Sequence, residues 1–290
     1  MLNIDGFLLY FMFISVRDAI IIHADKNISK VMKKLGVKGI ELRFDREYKG
    51  FLPSGDIVEI RRDRERFLEE WRNSGFKATC ILEVNRFCRD ESWERRYLFE
   101  GLRLAEELSA RAIRVDPICD EASMEDTIKN IVRYLREAAD ASDVRIGIEN
   151  HGRIGNELTF LKRVVEEVRS ENVGYTLDVA NIYWSGKPLS EVYSMVEELA
   201  PRTVHTHMKN IGYPEELRDR KRELGYMYST YVSPLYEGDI DLGRIVDILR
   251  DNGYDWDLCV EDESLGKYKG RELEILMRDV EHLKRILEKT

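Results

Sequence analysis

The sequence predicts an α/β fold, a single (β/α)8 TIM barrel over residues 1–290, and three observations carry that prediction. Short apolar, β-branched runs alternate with amphipathic stretches of helical spacing almost to the end of the chain, a pattern that implies parallel strands joined by crossovers. Eight such runs occur, the number that closes naturally into a barrel ringed by helices. No Pro-, Gly- or Ser-rich linker, low-complexity block or change of composition divides the 290 residues, a length that suits one α/β barrel. An open, doubly wound sheet is the rival arrangement. Against it, no GxGxxG or phosphate-binding loop follows any strand.

The expected strands are 7–15, 39–43, 77–83, 112–116, 145–149, 173–178, 203–208 and 257–261. The first falls in GFLLYFMFISV at 6–16, which is about half the length needed to span a bilayer. It lacks a basic leader and a small-residue cleavage site, so a buried strand is expected there rather than a signal peptide or membrane span. Helical periodicity is expected over 28–35, 64–73, 93–108, 124–139, 157–170, 189–199, 242–251 and 272–287. Gly36, Gly75 and Gly253 stand where left-handed helix C-caps belong.

Charged residues make up 35% of the chain, mostly in mixed-sign helical runs that read as solvated faces with i,i+4 pairs. The net charge of −9 and pI near 5.3 argue against a broad nucleic-acid footprint. Cys80, Cys88, Cys119 and Cys259 show no CxxC spacing and read as buried, reduced thiols. That favours a cytoplasmic location.

The chemistry gathers where the last four strands end. Ile146-Gly-Ile-Glu-Asn-His-Gly152 leads into Glu149, Asn150 and His151; Tyr175-Thr-Leu-Asp-Val-Ala-Asn181 leads into Asp178. Val204-His-Thr-His-Met-Lys-Asn210 offers His205 and His207, and Leu258-Cys-Val-Glu-Asp-Glu-Ser264 offers Glu261. From Glu149 to Asp178 is 29 residues and from Asp178 to His207 is 29 again, one βα unit each; Glu261 follows after 54, one unit plus an insertion. Barrel active sites lie at the C-terminal strand ends. Three carboxylates and an imidazole in phase there suit one divalent ion, Mn²⁺, Mg²⁺, Co²⁺ or Zn²⁺. Taken singly, each is an ordinary polar residue closing a strand; four in phase favour a shared cation, because carboxylates this close repel without one.

These motifs, with Glu237-Gly-Asp-Ile-Asp241 and Asn252-Gly-Tyr-Asp ahead of the strand-eight glutamate, resemble the xylose isomerase-like barrel superfamily. That group holds sugar and sugar-phosphate isomerases and epimerases, inosose dehydratases and endonuclease IV. The resemblance covers nearly the whole chain and is strongest from Glu149 to Glu263. It implies Glu149, Asp178, His207 and Glu261 as metal ligands, with His207 preferred to His205 because Lys209 and Asn210 follow it in place of the family's Lys-Asp. It also implies proton transfer through an enediolate, with Glu149 and Glu261 as acid and base, on a small sugar, sugar phosphate or keto-polyol. His151, Asn181 and Lys209 are the expected substrate contacts, and homo-oligomers are compatible with the fold. Residues 210–241, rich in Tyr and Arg, read equally as a lid or a surface insertion.

Two other readings remain open. An endonuclease IV-like phosphodiesterase needs extra histidines, but Asn181 stands where one is required, and strands three and four end in Glu83 and Asp116. A non-catalytic sugar-binding barrel would carry degenerate ligands.

Overall fold

The computed structural model describes residues 12–88, 91–119 and 122–289. Eight parallel strands close into one barrel: β1 Phe13–Arg17, β2 Gly39–Phe44, β3 Lys77–Glu83, β4 Ala112–Val115, β5 Arg145–Glu149, β6 Val173–Asp178, β7 Thr203–Met208 and β8 Asp257–Val260. Each strand pairs with its sequence neighbours, and β1 pairs with β8 to shut the ring. Of the expected first strand, 7–15, residues 7–11 lie outside the described residues. Its predicted end at Ser15 is corrected: β1 continues through Val16 to Arg17, which is in register with Glu41 of β2. The Arg17 side chain reaches Glu261 across the barrel mouth.

Helices cover the outside because their apolar stripes need the outward faces of the strands. Ile28–Leu35, Arg64–Asn73, Leu189–Leu199, Leu242–Asp251 and Glu272–Leu287 form as their periodicity predicts. Gly36, Gly75 and Gly253 have φ of 65°, 78° and 82°, the left-handed region that a Cβ disfavours. A hairpin of Lys49–Phe51 and Ile57–Glu59, not expected from sequence, fills the connection after β2. No helix among the described residues is long and apolar enough to cross a membrane.

The interior face of the barrel is polar rather than aliphatic. Along β7 the alternation sends His205 and His207 inward, while Asp257, Cys259 and Glu261 follow the same period on and just past β8. Gly147 of β5 faces them: a Cβ there would lie 2.3 Å from the Thr176 hydroxyl, so the strands approach closely at this level.

The expectation of four reduced thiols does not hold. Cys88 and Cys119 form a disulfide with a Cα–Cα distance of 5.6 Å, while Cys80 and Cys259 are free and buried. The paired cysteines lie in the connections after adjacent strands β3 and β4, a proximity created by the barrel. The cysteine argument for a cytoplasmic location therefore loses its ground.

Asp18, just past β1, is fully buried and accepts a hydrogen bond from the Arg43 backbone N–H at 2.8 Å, joining the ends of β1 and β2. Burial raises its carboxyl to about 7, against the lowering influence of that bond and of Arg17. Because the folded value lies above the unfolded one, its contribution is complete below about pH 4 and is lost as pH rises through 7. Asp18→Asn keeps the acceptor and removes the charge. We expect it to stabilise the protein by roughly 2–4 kcal/mol at pH 9 and to change little at pH 4. Paired urea melts at the two pH values check this; equal effects at both would show that the carboxyl is ionised throughout.

Candidate metal centre

At the C-terminal mouth of the barrel, Glu149, Asp178, His207 and Glu261 each offer one ligand atom, all within 4.8 Å of one another, and all four residues are buried. The neighbouring strands place them. Asp178 ends β6 directly opposite His207 on β7, and Cys259, two residues before Glu261, is opposite His207 on β8. Glu149 ends β5 beside Thr176 of β6.

Asp178 divides its two oxygens. Oδ1 caps the helix Val179–Trp184, accepting from the backbone N–H groups of Ala180 at 2.9 Å and Asn181 at 2.8 Å. Oδ2 is buried, accepts no aligned hydrogen bond, and lies 2.8 Å from the Lys209 ammonium. Asn150 fixes the same corner: its Oδ1 accepts from the Asp178 N–H and its amide donates to the Asp178 carbonyl.

His207 presents Nδ1 to the Glu149 carboxylate at 2.7 Å and to Glu261 at 3.4 Å, and Nε2 to Glu41 at 2.8 Å. Burial disfavours its charged form, but these carboxylates hold the ring above the ordinary histidine range. Burial likewise pushes Glu149 up, and the adjacent Arg114 and His207 overcome it, leaving the carboxyl well below the usual range. Lys209 also touches Glu261 at 3.2 Å, and Arg17 pairs with Glu261.

His205 is turned away from the mouth. It is fully buried between Asp257 at 2.8 Å and Glu41 at 2.6 Å. Burial opposes its charge, yet Asp257 holds it well above the ordinary value. Among the expected substrate contacts, His151 stands at the edge of the site, its Nδ1 3.0 Å from Asp116 and 3.6 Å from Glu149. Asn181 is buried on the capped helix. Lys209 lies within the carboxylate cluster itself rather than beside it.

Sequence reasoning missed Arg17 altogether and found no pattern in Glu41 and Arg114. Arg114 of β4 pairs with Glu149, lies 3.3 Å from Asp116, and donates to the Glu83 carbonyl at 2.7 Å. Asn210 locks the following insertion: its side chain donates to the Leu235 and Ile240 carbonyls and accepts from the Ile211 and Ile240 N–H groups. That insertion folds down onto the helix after β6. Arg222 stacks on Tyr183 and Tyr213 and donates to the Tyr183 and Lys187 carbonyls, and the Tyr228 hydroxyl donates to Glu263.

The donor set suits a divalent ion. Three buried carboxylates and one imidazole converge, the Asp178 Oδ2 has no aligned partner, and Nδ1 of His207 faces both Glu149 and Glu261.

Comparison with known proteins finds relatives of this fold. A protein of Methanocaldococcus jannaschii described as uncharacterized is 25% identical over 134 residues, spanning 44% of this chain and 40% of that protein. Solved structures match along almost the full length. An IOLI protein with a bound zinc atom superposes with a TM-score of 0.72 at 18% identity, covering 96% of this chain and 99% of that one. D-psicose 3-epimerase with D-tagatose from Clostridium cellulolyticum H10 gives 0.70 at 15% identity, covering 95% and 99%. A probable 3-DHS dehydratase, AsbF, from Bacillus anthracis gives 0.66 at 18% identity, covering 94% and 99%. The family model described as xylose isomerase-like TIM barrel matches residues 30–286, which takes in every strand from β2 to β8. On that match the chain belongs to the xylose isomerase-like TIM barrel family.

Proposed function

We propose that this protein is a divalent-metal-dependent isomerase or epimerase that moves a proton on a small sugar, sugar phosphate or keto-polyol. The observation that carries the reading is the convergence of Glu149, Asp178, His207 and Glu261 on one buried point at the barrel mouth. The ion, Mn²⁺, Mg²⁺, Co²⁺ or Zn²⁺, would polarise a substrate carbonyl and acidify the neighbouring C–H, stabilising a developing enediolate. Glu149 and Glu261 approach His207 from β5 and β8, so a substrate carbon held between them meets a carboxylate on each side. One takes the proton and the other, or the same one, returns it. Arg114 holds the Glu149 carboxyl well below the usual range, so it is ionised and able to accept the proton, and Arg17 pairs with Glu261. His151 at the edge of the site, Asn181 on the capped helix and Lys209 among the carboxylates are assigned to substrate hydroxyls.

The structural neighbours support this substrate class: one is an epimerase with D-tagatose, another a probable dehydratase. Dehydration begins with the same proton removal, so it belongs in the same screen. The endonuclease reading is disfavoured by the positions that would need extra histidines, which hold Asn181, Glu83 and Asp116.

The test is a screen of ketoses, inososes and hydroxypyruvate with chelated and metal-supplemented protein, following epimers, isomers and dehydration products. We expect one divalent ion per chain, turnover of at least one substrate class, and loss of that turnover on chelation with recovery on adding back the metal. A protein that binds no divalent ion would favour the non-catalytic barrel.

A further inference from the structure

Below the metal centre the barrel interior holds a line of alternating carboxylates and imidazoles. Ser15 donates to Asp257 at 2.6 Å, Nδ1 of His205 faces Asp257 at 2.8 Å, and Nε2 of His205 faces Glu41 at 2.6 Å. The same Glu41 oxygen, Oε2, faces Nε2 of His207 at 2.8 Å, and Nδ1 of His207 faces Glu149. Asp257, His205, Glu41 and His207 are all fully buried. The two rings stand at 83° with centroids 5.3 Å apart, so they do not stack, and each presents Nε2 to the one oxygen between them.

We propose that Glu41 is a positioning residue that fixes the tautomer and orientation of His207 for the metal centre, and that His205 and Asp257 hold Glu41 in place. The inference rests on the metal-dependent reading above and adds the support beneath it. An imidazole that offers a lone pair at Nδ1 must carry its proton on Nε2, and a histidine ligand normally donates that proton to a carboxylate or carbonyl. Glu41 is the acceptor opposite Nε2. A buried carboxylate is costly unless paired. His205 supplies the pairing, and Asp257 fixes His205 through its other nitrogen. The second Glu41 oxygen makes no hydrogen bond and lies 3.7 Å from Arg17, so the residue's bonding capacity is directed at the two histidines.

Glu41→Gln retains an acceptor toward both rings without the charge; Glu41→Ala removes both. In full-length protein labelled with ¹⁵N-histidine, Zn²⁺-loaded wild type should show His207 protonated at Nε2. Glu41→Gln should keep that tautomer and weaken Zn²⁺ binding about tenfold, and Glu41→Ala should lose it and weaken binding toward 100-fold. Thermal melts establish that each variant is folded. If Glu41→Ala fails to fold, the Zn²⁺ affinity of Glu41→Gln decides. Zn²⁺ affinity within twofold of wild type in a folded variant, with the His207 signals unmoved, would overturn the proposal. Wild type that binds no Zn²⁺, Mn²⁺, Mg²⁺ or Co²⁺ would instead refute the metal reading, and this distinguishes the two failures.

Discussion

Glu261→Gln is expected to lower turnover about 10²–10⁴-fold, the contribution of a positioned general base. Gln keeps the size and one oxygen but loses charge and basicity. In this site the loss has company: Arg17 and Lys209 both contact the Glu261 carboxylate, and Nδ1 of His207 lies 3.4 Å away. Metal affinity should also weaken, yet excess metal should not restore the rate. Asp178→Asn is the comparison. Asp178 spends one oxygen capping the helix Val179–Trp184, which leaves the other for the ion and none for proton transfer. Saturating metal should therefore rescue Asp178→Asn in part. Deuterium exchange from solvent into substrate reads the proton step in both variants. Equal rescue of the two would show that Glu261 only holds the ion and would move the acid–base role elsewhere.

Arg114→Leu is expected to destabilise the metal-free protein by about 3–5 kcal/mol, the usual effect of breaking a buried ion pair. Arg114 is 5% exposed, and its guanidinium serves Glu149, Asp116 and the Glu83 carbonyl together. Leu fills part of the volume but leaves two buried carboxylates facing each other. A divalent ion at a hundredfold excess over its Kd would add about 2.7 kcal/mol to any chain that binds it, so metal should raise wild type and variant alike and leave the deficit in place. Urea melts with chelator and with metal measure both values. A deficit below about 1 kcal/mol without metal would mean that Glu149 and Asp116 are protonated or solvated in the folded state, contrary to their burial.

The local signals that could be read from the chain were those with a short period. Strands β3, β5, β6 and β7 stand where apolar, β-branched runs stand, and five outer helices follow their 3.6-residue stripes to the residue. Three of the four ligand-type residues announced themselves by recurring every 29 positions. Repetition of one βα unit makes equivalent strand positions equivalent in space. His207 was separated from His205 only by resemblance, through the Lys209-Asn210 that follows it. In the structure the two differ in what they face: His207 lies against the carboxylates of the mouth, and His205 is enclosed by Asp257 and Glu41.

What the sequence by itself determined was the fold class and the phase of the polar residues along each strand, because both depend on spacing within a few tens of residues. What only the tertiary structure decided was partnership across the barrel. Closure of β1 onto β8 brings Arg17 to Glu261, a separation of 244 positions. The inward face of β2 brings Glu41 under His205 and His207, separations of 164 and 166. Cys88 and Cys119 meet because β3 and β4 are adjacent, and the expectation of reduced thiols failed for the same reason. A lone Arg, Glu or Cys has no periodicity to betray its partner. Its role is set by which charge or thiol the closed ring places within a few ångströms, and ring closure is a property of all eight strands together.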